Sequence, residues 1–413
     1  MDSSSHVPPA SGSSGRGSAS SEQPYSLAWT LDPFPVDRFF AEYWEKKTLL
    51  VSRTQRDYYA GLLSVDEIDR VVTTLNLHHP DLSMVNARKE IKAAQYTYPS
   101  GLIDVARFYQ GFADGGTMIL SQLHMMVPEL ANYCRALERE FSTRFQTNIY
   151  LTPAGDQQGF KSHYDSHDVF VLQVAGRKKW RIYNTPVELP LRAQDFDPEV
   201  HVAGDVTMEF DLEPGDMCYI PRGIMHAASS DNELSLHITV GIIARTWSDL
   251  LLETLSSVAL EDPAFRKMLP PGFALPGYDR TQAEATYRAL LEKFVANGNF
   301  GRALDHFADD LTTTRHPLLR GQIQQVLSLG SLAIDSVVGA RPALVYRIIE
   351  KGDAFVVTCY GSDISFPGHA IEPVRYALET PRFRVAELPG DLDDEGKLVL
   401  ARRLIREGIL RQL

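Results

Sequence analysis

The chain has 413 residues, 44% of them hydrophobic, enough to bury a sizeable core and to fill two or three domains. A formal net charge of −12 excludes a surface built for non-specific attachment to nucleic acid and leaves a basic or neutral protein as the better partner. Three dispersed cysteines, Cys134, Cys218 and Cys359, match neither a disulfide framework nor a Cys-x-x-Cys site. With no apolar window long enough for a membrane span and no basic-then-apolar start, the expectation is a cytoplasmic chain without a membrane partner.

Residues 1–24 are dominated by Ser, Gly, Ala and Pro and have almost nothing to bury, which predicts a disordered tail. Val36 to Phe40, with Tyr43 and Trp44, carries apolar side chains at helical spacing, and Leu49-Leu50-Val51 reads as a short strand. From about Asn148 to Arg245 the pattern is of short strands separated by turn residues: Phe170 to Leu172, Lys179 to Tyr183, Met217 to Ile220, and Leu236 to Val240. Many short strands predict a β-barrel or sandwich. After Trp247 the periodicity turns helical, with Leu251, Leu255 and Val258 expected on one face. Thr281-Gln282-Ala283-Glu284 is read as a capping box before Tyr287, Leu290, Leu291 and Phe294. These stripes can pack on the β domain or form a dimer seam; spacing alone does not choose. The last segment predicts a strand over Ala354 to Thr358, a helix over Ile371 to Leu378 and another over Leu398 to Arg406, closed by Gly408. From Arg341 onward eleven basic residues face eleven acidic ones, so no DNA-binding footprint emerges.

The chemistry concentrates in two places. In His163-Tyr164-Asp165, residues two apart on an extended strand project to the same side, so His163 and Asp165 can bind one ion. Further on, Glu213-Pro214-Gly215-Asp216 and Pro221-Arg222-Gly223 make turns that leave His226 just beyond a barrel strand. Two imidazoles and one carboxylate form a facial triad, which holds one side of an octahedral ion and leaves the rest for a cosubstrate and dioxygen. His-x-Asp alone is a weak signal; the second turn-framed histidine strengthens it. Lys178 shares a face with Trp180 and Ile182, so it points inward, where an ammonium needs an anion such as a 2-oxoglutarate carboxylate. A register slip of one residue would turn Lys179 inward instead. In Ser235-Leu236-His237-Ile238-Thr239-Val240 the polar residues share a face that would line a cavity, or lie in water on an edge strand.

At these residues the sequence resembles the JmjC ribosomal oxygenases, protein hydroxylases of ribosomes. The resemblance is carried by His163-Tyr164-Asp165, by Val169 to Gln173, by Gly176, Lys178, Trp180 and Arg181, by Asn148 to Pro153, and by Trp44-Glu45-Lys46-Lys47. It implies an α+β architecture: a double-stranded β-helix, the JmjC/cupin barrel, over 25–245, a helical dimerisation domain over 246–325 and a C-terminal winged helix over 326–413. It implies Fe(II) on His163, Asp165 and His226, dioxygen as co-reactant, the distal carboxylate of 2-oxoglutarate on Lys178, and Asn148 near that cosubstrate. Tyr150 and Ser235 would face the substrate side chain, a histidine by residue matching; arginine-hydroxylating members carry arginine in place of the lysine. The implied partner is a ribosomal protein and the implied assembly a homodimer, with no direct DNA binding. Two places differ from the pattern: an extra residue around Asp156-Gln157-Gln158-Gly159, and Ser166-His167 after the ligand pair. Other readings of the same residues are a JmjC lysine demethylase, a hydroxylase of small peptides, or a non-catalytic cupin scaffold with a structural metal.

Overall fold

A computed structural model describes residues 25–155, 159–230, 233–342 and 344–413. The expected disordered tail and the extra residue at Asp156-Gln157-Gln158 lie outside the described residues.

The chain begins with α1 (Leu27–Leu31), α2 (Val36–Glu42), β1 (Leu49–Val51), α3 (Val65–Thr74), β2 (Leu82–Val85), α4 (Val105–Ala113), β3 (Thr117–Ser121) and α5 (Pro128–Phe141). The strand-rich centre follows as β4 (Arg144–Thr152), β5 (Asp168–Ala175), β6 (Lys178–Ile182), β7 (Met208–Leu212), β8 (Met217–Ile220), β9 (His226–Ser229) and β10 (Ser235–Ile243). These make a seven-stranded sheet, ordered β1-β8-β5-β10-β4-β3-β2, and a three-stranded sheet, β7-β6-β9. Their inner faces share a core in which Val169, Val171, Cys218 and Ile220 of the large sheet meet Trp180, Ile182 and Leu212 of the small one. The opposite face of the large sheet carries Ile149, Phe170, Leu172, Tyr219, Ile238 and Val240 into a second core, closed by helix residues such as Phe39, Phe108, Leu130 and Leu137. Both faces of β5 and β8 are therefore buried, which is why these strands read as continuous apolar runs rather than as alternation.

Three helices come next: α6 (Trp247–Glu261), α7 (Thr281–Asn297) and α8 (Phe300–Thr313). Thr246 caps α6 in a reciprocal box with Asp249. The expected stripes need correcting. On α6 the buried line is Leu250, Thr254 and Val258, while Leu251 and Leu255 face outward. The expected box at Thr281 is not formed: Thr281 is the first helical residue, and its N–H and hydroxyl both donate to Asp279, which stands in for a cap.

The C-terminal part holds α9 (Gln322–Leu327), β11 (Val337–Ala340), β12 (Tyr346–Lys351), β13 (Ala354–Cys359), β14 (Ser362–Pro367), α10 (Ile371–Glu379), β15 (Phe383–Arg384), α11 (Asp394–Arg406) and β16 (Leu410–Gln412). Two three-stranded sheets, β12-β13-β14 and β15-β11-β16, enclose a separate core with the inner faces of α10 and α11. A buried ion network ties the connection after α8 to α5: Glu138 accepts from Arg135 at 2.8 Å and from Arg315 at 2.6 Å, and Arg135 also donates to the carbonyl of His316.

Candidate metal and cosubstrate site

The backbone places the three candidate ligands before any side chain is considered. His163 and His226 form an antiparallel bridge, each N–H donating to the other's carbonyl at 3.1 and 2.8 Å, which sets the two imidazoles side by side with centroids 4.7 Å apart. Two residues on, the Asp165 carbonyl accepts from the N–H of Gly223. Gly223 has φ +85°, and a Cβ there would sit 2.0 Å from the Val187 carbonyl oxygen, so the Pro221-Arg222-Gly223 turn requires glycine. Arg222 in that turn is buried, donating to Asp168 at 2.6 Å and pairing with Glu45 at 2.7 Å, and Tyr219 donates to the same Asp168 carboxylate.

Each imidazole is oriented from behind. Nδ1 of His163 meets the carbonyl of Lys161 at 2.9 Å, and Nδ1 of His226 that of Ile224 at 3.1 Å. A carbonyl only accepts, so Nδ1 carries the proton in both rings and the Nε2 lone pairs are free. His226 Nε2 lies 3.7 Å from the Asp165 carboxylate, and one donor atom from each of the three residues lies within 4.8 Å of the others. Burial lowers the His226 pKa to about 4, a neutral imidazole ready to coordinate. Burial raises the Asp165 carboxyl, but the imidazoles of His226, His167 and His163 outweigh it and hold the group below its usual value. Two imidazole nitrogens and one carboxylate at this spacing fit a divalent ion such as iron(II), with open positions left over.

Register decides the rest. The burial of β6 alternates, with Lys178, Trp180 and Ile182 inside; Lys179 stays partly exposed beside Glu209 and Asp211. The Lys178 ammonium is 4% exposed, and its hydrogen bond is to Thr152 Oγ1 at 3.1 Å. Without an anion, burial pushes its pKa down to about 7. Close by, three buried polar atoms have no hydrogen-bond partner among the described residues: His237 Nδ1, Trp180 Nε1 and Gln173 Oε1. One buried ammonium and two orphan ring nitrogens fit a carboxylate-bearing ligand. Six rings close around the space between that end and the ligand triad. Tyr150 stacks on His237 at 4.8 Å, and the circuit continues through Trp180, His226, His163 and Phe160 back to Tyr150, with no step longer than 6.2 Å.

Asn148 lies two residues before Tyr150 on β4, and its side-chain Oδ1 accepts from the Gln122 N–H. Ser235 lies on β10. It is fully buried, accepts from Gln173 Nε2 at 2.9 Å and pairs in register with Thr152, the residue Lys178 touches. Its hydroxyl therefore belongs to the lysine end of the barrel, and it is His237, on the same strand face, that contacts Tyr150. The alternation in 235–240 gave the shared polar face but did not single out His237. Asp168 and Arg222 were not singled out from sequence, because a buried ion pair 54 residues apart leaves no local pattern.

A JmjC domain family model matches residues 120–250. The bifunctional lysine-specific demethylase and histidyl-hydroxylase NO66 of Aedes aegypti is 34% identical over 229 residues, covering 54% of this chain and 36% of its own length. Ribosomal oxygenase 1 of Danio rerio is 31% identical over 312 residues, covering 68% of this chain and 55% of its own. The chain thus spans between about a third and about half of the curated relatives it matches. Among solved structures, the Escherichia coli ribosomal oxygenase YcfD superposes with a TM-score of 0.53 at 18% identity, covering 92% of this chain and 98% of that one. A second YcfD structure, in complex with cobalt and 2-oxoglutarate, gives the same TM-score at 16% identity. Residues 120–250 match the JmjC domain model, the chain is similar in sequence to the ribosomal oxygenases, and its fold is that of YcfD.

Proposed function

We propose that the chain is an Fe(II)- and 2-oxoglutarate-dependent dioxygenase that hydroxylates a side chain of a ribosomal protein, histidine rather than arginine. The observation that carries this reading is the pairing, inside one barrel, of the open triad His163, Asp165 and His226 with the buried cation of Lys178. A structural metal needs no such cation, which sets aside the scaffold reading. Bound iron and 2-oxoglutarate would supply the oxidising power, using dioxygen and releasing succinate and carbon dioxide. The residues of the chain supply placement: the triad fixes the ion, Lys178 neutralises the far carboxylate, and Tyr150 with Asn148 borders the approach of the target side chain. Lysine in place of arginine at 178 supports histidine as the target.

The helices and C-terminal part enter the same reading. Tyr287, Leu291 and Val295 on α7, with Leu251, Leu252 and Leu255 on α6, are large apolar side chains left exposed. A second copy of this chain, meeting these helices, is the occupant we propose for them. The C-terminal part, with equal numbers of basic and acidic residues, serves as a winged-helix module for protein contacts rather than as a DNA reader. No helix among the described residues is long and apolar enough to cross a membrane, in keeping with work beside ribosomes in the cytoplasm.

Mass spectrometry of ribosomal proteins tests the reading, comparing source cells that have the gene, lack it, or carry Asp165→Ala. One protein should lose a single added oxygen in both of the latter, because the variant leaves two ligands on an open ion. Normal hydroxylation in the Asp165→Ala cells would sink the triad. Because one relative is named for both demethylase and hydroxylase activity, the same samples are assayed for formaldehyde, which only N-demethylation releases.

A further inference from the structure

His167 follows the ligand pair at the same two-residue spacing, and its ring rests on β10. At Gly241 a Cβ would come within 2.7 Å of His167 Cδ2 and 2.8 Å of Nε2, and within 3.3 Å of Gln146 Cγ. The ring thus occupies a slot that the absent side chain of Gly241 opens in the inner face of the barrel. His167 also lines a cavity of about 280 Å³, together with Ser166, Gln146, Arg192 and Asp195. Gln146, Arg192, Ile243 and Ala244 also line a cleft of about 2030 Å³ between the barrel and the C-terminal part. A polypeptide running along this cleft would pass the small cavity before its target reached the metal ligands.

We propose that His167 is a specificity-determining residue: its ring forms the wall between the metal face and the 280 Å³ cavity, and it contacts the substrate polypeptide beside the target residue. Gly241 acts through it, as the position that makes room for the ring. This rests on the hydroxylase reading above, since the wall selects among polypeptides and not among cosubstrates. Neither residue coordinates the ion or meets Lys178.

The test uses the full chain with His167→Ala, Gly241→Ala and the double variant. The probe is total ribosomal protein from source cells lacking the gene, with oxygen incorporation followed by mass across a concentration series. His167→Ala should raise KM for the modified protein about tenfold or more, the scale of a lost pocket contact, with a much smaller change in kcat. Gly241→Ala should show a loss of the same kind, because its methyl displaces the ring. The double variant should be no worse than His167→Ala alone. The Kd for 2-oxoglutarate should stay within about twofold of the parent in all three, a change of under about 0.5 kcal/mol. Independent, additive losses would show that Gly241 acts elsewhere and overturn the pairing. A parallel fall in 2-oxoglutarate affinity would make His167 a prop for the metal site and overturn its selecting role. If the parent protein itself transfers no oxygen to ribosomal protein, the hydroxylase reading fails first and this proposal falls with it.

Discussion

Lys178 is the residue where sequence and chemistry meet most directly. With no anion beside it, its ammonium is half deprotonated near pH 7, whereas a bound carboxylate would keep it charged. Above pH 7, then, binding 2-oxoglutarate has to take up a proton, and affinity should fall by about tenfold per pH unit toward the ordinary lysine range. His237 does not disturb this window, since burial and the Lys178 charge keep it neutral well below it. Titrating the Kd from pH 6 to 9 with a redox-inert divalent ion in the site checks the slope. Lys178→Ala should weaken binding and flatten the curve, while a parent curve already flat above pH 7 would show that the cation is not at the cosubstrate. Inward Lys178 was legible because strand alternation permits only two registers and the apolar neighbours Trp180 and Ile182 favour one. For Ser235 alternation gave a face but not a depth: Ser235 and His237 share the face, yet one lies beside Thr152 and the other against Tyr150.

At the scale of the element, strands were read better than helices. Five residues of alternating or continuous hydrophobicity identify a strand whose two faces are both covered, and the sequence limits of β8 and β13 were close to the observed ones. Helical stripes were harder. Leu251, Leu255 and Val258 suit one side of a helix, but α6 packs against α8 through Leu250, Thr254 and Val258, and periodicity does not say which neighbour a face meets. On α7, Tyr287, Leu291 and Val295 recur every four residues and are 62%, 45% and 80% exposed, in a helix that buries no residue fully. Tyr287→Asp with Leu291→Asp should therefore halve the mass seen by light scattering and leave the far-ultraviolet circular dichroism unchanged. A parent protein already monomeric at micromolar concentration would remove the seam from this helix.

Over the whole molecule, the connection that leads from α8 to the C-terminal part is anchored to α5 by buried charge. Glu138 is 3% exposed and answers two guanidinium groups, one from its own helix and one from the connection after α8. Removing it would leave Arg135 and Arg315 as neighbouring buried cations with no counter-charge, which costs about 3–5 kcal/mol in comparable sites. Glu138→Ala should lose stability on that scale in urea unfolding, with the C-terminal part releasing before the barrel; a loss below about 1 kcal/mol would mean that water reaches the network. None of this was legible in the sequence, where Glu138 and Arg315 are ordinary charged residues 177 positions apart. The order of strand-rich centre, helices and mixed terminal part was legible, since each change of periodicity is local.

The barrel also imposes an order of events. Its lysine end is filled by Thr152, Gln173 and Ser235, all fully buried. On the hydroxylase reading, an anion bound for Lys178 would enter from the side of the ring circuit, which a polypeptide at the ligand triad would cover. The small reactant would then enter first, and the polypeptide would act as a stopper as well as a substrate. Excess protein substrate added ahead of 2-oxoglutarate would then slow the first turnover, and the same cover would hold the spent acid in place until the polypeptide departs.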